Sequence, residues 1–572
     1  IFRGSNAEFR SKVHDIDTCA EVVVSPEDDV ELRSISVTNR SERRRKIELT
    51  SYAEVVLTTQ AADASHPNFS NLFVETEIVR KRSAILCTRR PKSKDEKPPW
   101  MLHLIAAEKI AVDEISYETD RSKFIGRIRT AADPAALAEY ADLSNSEGSV
   151  LDPVVAIRCI VTIDPGETAR VNFVTGIAET RDAAMWLIDK YHDAAMADRV
   201  YNLAWTHNQM IMQQLNISED DILLYERLAG AIIYPSPTWR ASPSVLLSNR
   251  SGQSGLWAYS ISGDLPIVLL KIGDRSYIEL ARQLLRAHAY WHMMGLAVDL
   301  VIWNEDSSGY RQHLQEDIMA LISSCTESGT LDRPGGVFVL RADQISDEAR
   351  VLIQAVARAI FTDGQGTFEE QLERKSCLLV AVPPLKPKKA VRIENYEAVE
   401  SLGRDLIFFN GLGGFTQDGR EYIIRTAPGQ TTPAPWSNVI SNPHFGTVIS
   451  ESGAAYTWSE NSQQFRLTPW YNDPVSDISG EALYIRDEES GAFWSPSAWP
   501  TQGMTPYSCR HGFGYSVFEH KEGGIASELW VYVAVDAPLK FSVLKLRNES
   551  GVSRRLSVTG YIELVLGEML SK

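Results

Sequence analysis

The sequence predicts a multidomain chain of α and β structure, in which two antiparallel β-sandwich modules flank a helical segment and a parallel α/β region. Three observations carry this reading. Short segments with period-two alternation fill 22–178 and 406–566, the pattern of strands with one buried face. Between them, apolar runs alternate with amphipathic helical stretches, as in a parallel sheet covered on both faces. Residues 30–57 (VELRSISVTNRSERRRKIELTSYAEVVL) also align without a gap on 539–566 at a constant offset of 509. Asn39 falls on Asn548, Ser41 on Ser550, Arg45 on Arg554, Tyr52 on Tyr561, Glu54 on Glu563 and Leu57 on Leu566. Apolar matches arise by chance between strand-rich segments, but polar matches in one register do not. The two β regions are therefore read as copies of one module. The first copy is expected to lack its beginning and the second its end, so that the chain is an internal piece of a longer protein.

In chain order, AEVVV, ELRSISVTN, KIELTSYAEVVL, FVETEIV, MLHLIAAEKI, VVAIRCIVTI and ARVNFVTGIAE read as strands of a sandwich. From 181 to 232 the period changes to three and four, predicting two or three helices. Ser218, followed by Glu-Asp-Asp, is a plausible cap, with acids suited to the helix dipole. LPIVLLKI (265–272), AVDLVIW (297–303), GVFVL (336–340) and CLLVAV (377–382) read as buried strands. SYIELARQLLRAHAYWHMM, YRQHLQEDIMALISS and SDEARVLIQAVARAIF read as the helices between them. PPLKPKK (383–389) reads as a stiff linker. The expected division is 1–180 β module, 181–240 helical linker, 241–385 α/β domain and 386–572 second β module.

Composition excludes several classes. A net charge of −17 argues against a nucleic-acid surface, because phosphate binding needs clustered Lys and Arg. The basic runs near 41–46 and 89–97 are short and fit hairpin tips or loops. Cysteines 19, 87, 159, 325, 377 and 509 are scattered without a CxxC pair, which fits reduced thiols rather than a disulfide framework or zinc site. No apolar run reaches the ~20 residues of a membrane helix, so this stretch reads as soluble.

The second β region holds the candidate chemistry. Trp436, Trp458, Trp470, Trp494, Trp499 and Trp530 fall among polar, turn-like segments: NPHFGTVISESGAAYTWSENS (442–462), RLTPWYNDPVSD (466–477) and CRHGFGY (509–515). Aromatic faces match the C–H face of a sugar, and neighbouring Asp, Asn, Arg and His suit its hydroxyls. The competing reading is that these Trp residues build the sandwich core.

NGLGGFTQDGREYII, PAPWSNVISNPHFGTVISESGAAYTWSENSQ, RLTPWYNDPVSD, GEALYIRDEESGAFWSPSAWP and CRHGFGYSVFEH resemble the N-terminal β-supersandwich of glycoside hydrolase family 94, the cellobiose-phosphorylase-like enzymes. More closely, they resemble the cyclic β-1,2-glucan synthases, very large bacterial inner-membrane enzymes. There two supersandwich modules flank a middle segment like GQSGLWAYSISGDLPIVLL and GGVFVLRAD. The resemblance implies a parent glycosyltransferase (a hexosyltransferase) that takes UDP-glucose as donor. It is joined to a phosphorolytic part that trims linear glucan with inorganic phosphate as co-substrate. It also implies a place at the cytoplasmic face of the bacterial inner membrane. The partners implied are a β-linked glucan oligosaccharide and the parent's remaining domains, with homo-oligomers open and no cofactor in this stretch.

In that family the general acid is an Asp in a helical barrel that follows the supersandwich. It protonates the leaving oxygen while phosphate attacks with inversion. No such barrel is readable here, so no catalytic residue is assigned and the chain alone is expected to be inactive. By resemblance, CRHGFGY reaches toward the sugar cleft, which makes Arg510, His511 and Tyr515 the first contact candidates. Trp470, Asn472, Asp473 and Trp458 come next. The alternative is that Gly512 and Gly514 only shape a hairpin and Arg510 pairs with an acid on its own face. A truncated stand-alone inverting phosphorylase of the cellobiose type and a non-catalytic scaffold remain alternative functions.

Three weaker signals are set aside. NGLGGF precedes a strand rather than a helix and is no phosphate cradle. Trp303-Asn304-Glu305-Asp306 superficially resembles the acid-bearing segment but follows a buried strand. His288 and His292 have metal-pair spacing without an apparent third ligand, so no metal is expected.

Overall fold

The computed structural model describes residues 1–108, 112–138, 142–306, 313–325, 330–376 and 405–567. The CLLVAV strand and the PPLKPKK linker read from the sequence lie outside them. The chain forms two compact units. One comprises Ile1–Phe9, Ala20–Asp28 and Ala197–Pro384. The other comprises Arg10–Cys19, Asp29–Met196 and Leu385–Lys572, so most of both β regions falls in one unit.

The first unit holds a four-stranded parallel sheet in the order Val337–Arg341, Asp299–Asn304, Ile267–Ile272, Ala359–Thr362. Alternate residues of the central strands feed two cores. Val268, Leu270, Leu300 and Ile302 pack with Trp291, Leu284 and Phe361 on one face. Leu269, Val301 and Phe338 pack with Leu352 and Ile353 on the other. Both faces of the sheet are covered, which is why its strands read as unbroken apolar runs. The stretch 346–361, expected as one helix, is a helix over Asp347–Val356 followed by the strand Ala359–Thr362. The apolar Ala-Ile-Phe triplet gains a ladder with Val268–Lys271 there, and Phe361 is buried on the helix-facing side. His288 is buried with its Nε2 on the Val298 carbonyl oxygen, a packing role.

Ser218 caps the helix Glu219–Ile233: its Oγ accepts from the Asp221 N–H (3.2 Å), and Asp221 Oδ2 accepts from the Ser218 N–H (2.8 Å). Ser218→Ala should therefore lower the stability of this unit by about 1 kcal/mol in urea denaturation, with an unchanged slope. Among the described residues, no helix is long and apolar enough to cross a membrane.

The second unit is built from antiparallel sheets. In its first β region, Val30–Asn39, Thr168–Ala178, Trp100–Glu108, Ala84–Arg89 and Val74–Val79 lie side by side in that order. Val112–Asp120, Pro153–Ile163 and Arg45–Thr50 form a facing sheet. Val37, Ile85, Ile105, Val155, Ile157 and Val171 fill the space between, as the period-two pattern requires. In the second β region, the sheet order is Gly413–Phe415, Glu421–Thr426, Tyr507–Gly512, Tyr515–Glu522, Ile525–Val533, Lys540–Asn548. Two three-stranded sheets accompany it. One is Ser437–Asn442, Phe445–Ser450, Ala455–Ser459; the other is Phe493–Trp494, Glu481–Asp487, Leu556–Ile562.

The repeat is a structural one. Asn39 Nδ2 donates to the Arg43 carbonyl oxygen (2.7 Å) and Asn39 Oδ1 accepts from Ser41 N (3.0 Å) and Oγ (2.7 Å). At the equivalent turn, Asn548 donates to the Val552 carbonyl oxygen (2.7 Å) and accepts from Ser550 N (3.0 Å) and Oγ (2.6 Å). Tyr52 donates to Glu54 (2.8 Å) as Tyr561 does to Glu563 (2.7 Å). Leu57 and Leu566 both hold positive φ. The equivalence also extends beyond the segment visible in sequence. Asn6–Val13 and Ile16–Val24 have the same bounds, shifted by 509, as Tyr515–Glu522 and Ile525–Val533. Both turns between these strands use positive φ, at His14-Asp15 and at Gly523-Gly524.

Candidate functional site

The second β region contains a cleft of about 290 Å³. Its walls include Ser437, Ser450, Tyr456, Trp470, Asn472 and Asp477. Three of the sequence candidates, Trp470, Asn472 and Asp473, line it together.

They do so because the loop 469–478 is bent and tied. Asn472 and Asp477 hold positive φ, a conformation in which Asn and Asp are the most readily accepted residues after Gly. Asp473 Oδ1 accepts from the N–H groups of Val475 (2.9 Å) and Ser476 (3.1 Å), and the Asp477 N–H donates to the Asp473 carbonyl oxygen. The first β region then grips the loop. Arg121 Nη1 and Nη2 meet Asp473 Oδ1 and Oδ2 at 2.8 and 2.9 Å, a bidentate pair, and Nη1 also donates to Asp152 (3.0 Å). Arg127 Nη2 lies 2.9 Å from both Glu451 Oε1 and Asp477 Oδ2. Asn68 donates to the Asn472 carbonyl oxygen, the Ile128 N–H donates to the Val475 carbonyl oxygen, and Val475 packs with Phe124, Ile125 and Val154.

These ties set the electrostatics. Burial pushes Asp473 up, but the hydrogen bonds and charge of Arg121 outweigh it and hold the carboxyl below its ordinary range. Asp152, with a single bond to the same guanidinium, stays above its ordinary value because burial dominates. Glu451 is likewise raised by burial, against the opposing pull of Arg127 and Thr432. Burial and the hydrogen bond to Glu563 push the Tyr471 phenol up to about 12, so it stays a donor.

The aromatic wall is part packing and part opening. Trp470 stacks on Tyr456 (5.2 Å between centroids, 21° between planes), and the Arg466 guanidinium lies 5.4 Å from its centroid. Trp458 pairs across the ladder with Gly446, where its ring occupies the space a side chain would need. It is not among the residues that line the cleft.

Arg510, His511 and Tyr515 lie on the hairpin formed by Tyr507–Gly512 and Tyr515–Glu522, where Arg510 and Tyr515 converge on Glu421. Arg510 Nη1 is 3.1 Å from Glu421 Oε1, Tyr515 Oη donates to the same oxygen (2.7 Å), and the guanidinium sits 5.7 Å from the Trp530 centroid. His511 is held at both nitrogens, by Ser516 Oγ at Nδ1 (2.8 Å) and the Trp436 carbonyl oxygen at Nε2 (3.0 Å). The carbonyl accepts only, so Nε2 carries the proton. Burial keeps the ring neutral by lowering its pKa. Trp436 stands between Pro435 and Ser437 of the cleft, so His511 holds the rim through its backbone. Phe513, at the hairpin tip, is 87 % exposed and was missed by the sequence reading. Tyr456 and Tyr471 were missed too. Period-two spacing of Tyr456 with Trp458 gave a usable signal, whereas nothing local marks Arg121 or Arg127.

With this geometry in hand, the comparisons are specific. The family model described as glycosyl hydrolase 94, supersandwich domain, matches residues 1–194 and 420–572. The chain is 36 % identical over 580 residues to cyclic beta-(1,2)-glucan synthase NdvB of Rhizobium meliloti (strain 1021), covering 100 % of this chain and 20 % of that protein. It is 32 % identical over 162 residues to N,N'-diacetylchitobiose phosphorylase of Vibrio furnissii, covering 28 % of this chain and 20 % of that protein. It is 34 % identical over 167 residues to solabiose phosphorylase of Paenibacillus borealis, covering 27 % and 20 %. The matched stretch spans about a fifth of the length of these relatives. Matched along more than half its length, the chain belongs to the glycosyl hydrolase 94 supersandwich family.

Proposed function

We propose that the chain is the carbohydrate-binding part of a glycoside-phosphorylase-like region acting on β-1,2-linked glucan, within a parent that works as a cyclic glucan synthase. The observation that carries this reading is the cleft in which Trp470 and Asn472 meet Tyr456, Tyr471, Ser437 and Ser450. Aromatic surface beside neutral hydrogen-bonding groups is the chemistry a sugar needs. In this reading the two β regions are partial copies of one module. UDP-glucose and inorganic phosphate serve other parts of the parent, which sits at the bacterial inner membrane, and the general acid belongs to a helical barrel elsewhere. Asp473 and Arg510 act as supports rather than sugar contacts, since Arg121 and Glu421 already engage them.

Calorimetric titration with β-1,2-glucan oligosaccharides should give weak, millimolar-range binding that Trp470→Ala abolishes while the fold is kept. The chain with phosphate should release no glucose 1-phosphate. Flat titrations with several β-linked glucans would sink the binding reading, and robust phosphorolysis would sink the placement of the acid. The pairings of Asp473, Arg510 and His511 with neighbouring residues favour a scaffold role as the second reading, which flat titrations would select.

A further inference from the structure

One cation beside the cleft has no anion of its own. Arg466 is 6 % exposed, and among the described residues its guanidinium meets no hydrogen-bond acceptor or carboxylate. What it meets is the Trp470 ring, 5.4 Å from the centroid. The register places it on the cleft side of its sheet. Trp458 pairs with Arg466 on one edge and with Gly446 on the other, and Tyr456 pairs with Val448. Directly opposed residues share a face, as do residues two apart along a strand. Val448 and Tyr456 line the cleft, so Arg466 stands on the same face as they do.

The carboxylates near the cleft are already committed. Asp473 and Asp477, in its wall, are bonded to Arg121 and Arg127. Glu563 accepts from Tyr471 and Tyr561. A buried guanidinium is costly to leave unpaired, and its planar fork matches a carboxylate bidentately. The residues lining the cleft include no Lys, Arg or His, so Arg466 offers one positive charge, which suits a singly charged carboxylate better than a phosphate dianion.

We propose that the cleft takes an acidic saccharide, a sugar carrying a carboxylate, with Arg466 engaging the carboxylate while the sugar lies beside Trp470. The proposal rests on the reading of the cleft as a sugar site and adds to it the charge of the sugar. Ser437, Ser450 and Asn472 suit hydroxyls, and Arg466 selects the acid. With a net charge of −17 the chain has no general attraction for anions, so a preference for an acidic sugar reports a local cation.

The test titrates three probes calorimetrically into the 1–572 chain: a β-1,2-glucan oligosaccharide, the same oligosaccharide with its primary alcohols oxidised to carboxylates, and inorganic phosphate. The oxidised form should bind roughly tenfold more tightly than the neutral one, and phosphate more weakly than the oxidised form. Arg466→Gln should bring the two oligosaccharides to one affinity, while Arg466→Lys should keep a preference for the acid. A second readout needs no variant to bind: the Arg466 Nε NMR signal, identified by its absence from Arg466→Lys, should shift more with the oxidised form than with the neutral one. Equal binding of the two oligosaccharides, or a preference that survives Arg466→Gln, would overturn the proposal and leave the sugar reading standing. Phosphate binding as tightly as the oxidised form would also overturn it, by assigning Arg466 to a free anion. Binding of neither oligosaccharide would sink the sugar reading and this proposal together.

Discussion

Arg121→Ala is expected to destabilise the second unit by about 3–5 kcal/mol, because it strips the cation from carboxylates that stay buried. Arg121, Asp473 and Asp152 each have side chains only 11–15 % exposed, so water cannot take over the lost bonds. A surface pair is the control. Arg181→Ala, which breaks an exposed contact with Glu77 at 2.6 Å, should cost less than about 1 kcal/mol. Denaturant melts of both variants against the parent check this; equal losses would show that the Arg121 cluster is no stronger than a surface pair.

The pH dependence has a defined sign. Asp473 is held below its ordinary value in the folded state, so its contribution is present above the unfolded carboxylate range near 4 and fades as pH falls through the depressed value. Asp152, raised by burial, works in the opposite sense. Without Arg121, burial is left to raise both carboxyls, so the Arg121→Ala deficit should grow as pH rises through their raised values and shrink in acid.

Much of the fold was legible because one periodicity dominated each stretch. The strand at 30–39 interleaves buried and less buried positions, whereas Pro153–Ile163 is buried without a break from Pro153 to Cys159 because cores lie on both of its faces. The helices at 181–233 carry stripes three and four apart and a readable cap at Ser218. The misses have physical causes. Ala359–Thr362 follows a helix after only Ala357 and Arg358, so its short apolar run prolongs the helical stripe in sequence and is separated only by pairing with Val268–Lys271. The earlier part of the repeat, Asn6–Val24 against Tyr515–Val533, escaped because its residue identities have diverged. What persists is a backbone device, positive φ at two adjacent turn positions, filled by His-Asp in one copy and Gly-Gly in the other.

The candidate site was legible in outline. Trp470, Asn472 and Asp473 lie in one turn of chain, so finding the turn found all three on one cleft. Arg510, His511 and Tyr515 were chosen for their chemistry, yet each is committed to a neighbour contributed by a distant strand or loop: Glu421, or the Trp436 backbone. A charge's freedom to meet a ligand depends on partners close in space but far along the chain. Arg121 and Arg127 show the converse. They sit about 350 residues from the loop they hold, and nothing in their local sequence marks them.

Arg127→Ala should also cost about 3–5 kcal/mol near pH 8. Arg127 is 8 % exposed and stands between Glu451 and Asp477, at 5 % and 9 %. Glu451 already titrates above its ordinary range because burial outweighs the pull of Arg127. A carboxyl with a raised folded pKa favours folding when protonated, and that contribution is lost as pH rises through the folded value. Removing Arg127 raises Glu451 further. The variant's deficit should then grow steadily from pH 5 to pH 8. Only Nη2 bridges the two carboxylates, while Nε and Nη1 have no hydrogen-bond partner. A single ammonium can take the bridging place, so Arg127→Lys should recover most of the loss. Melting midpoints of the three proteins across this range decide it: a flat Arg127→Ala deficit, or a lysine variant as damaged as the alanine one, would mean that Arg127 is held by packing rather than by its bridge between Glu451 and Asp477.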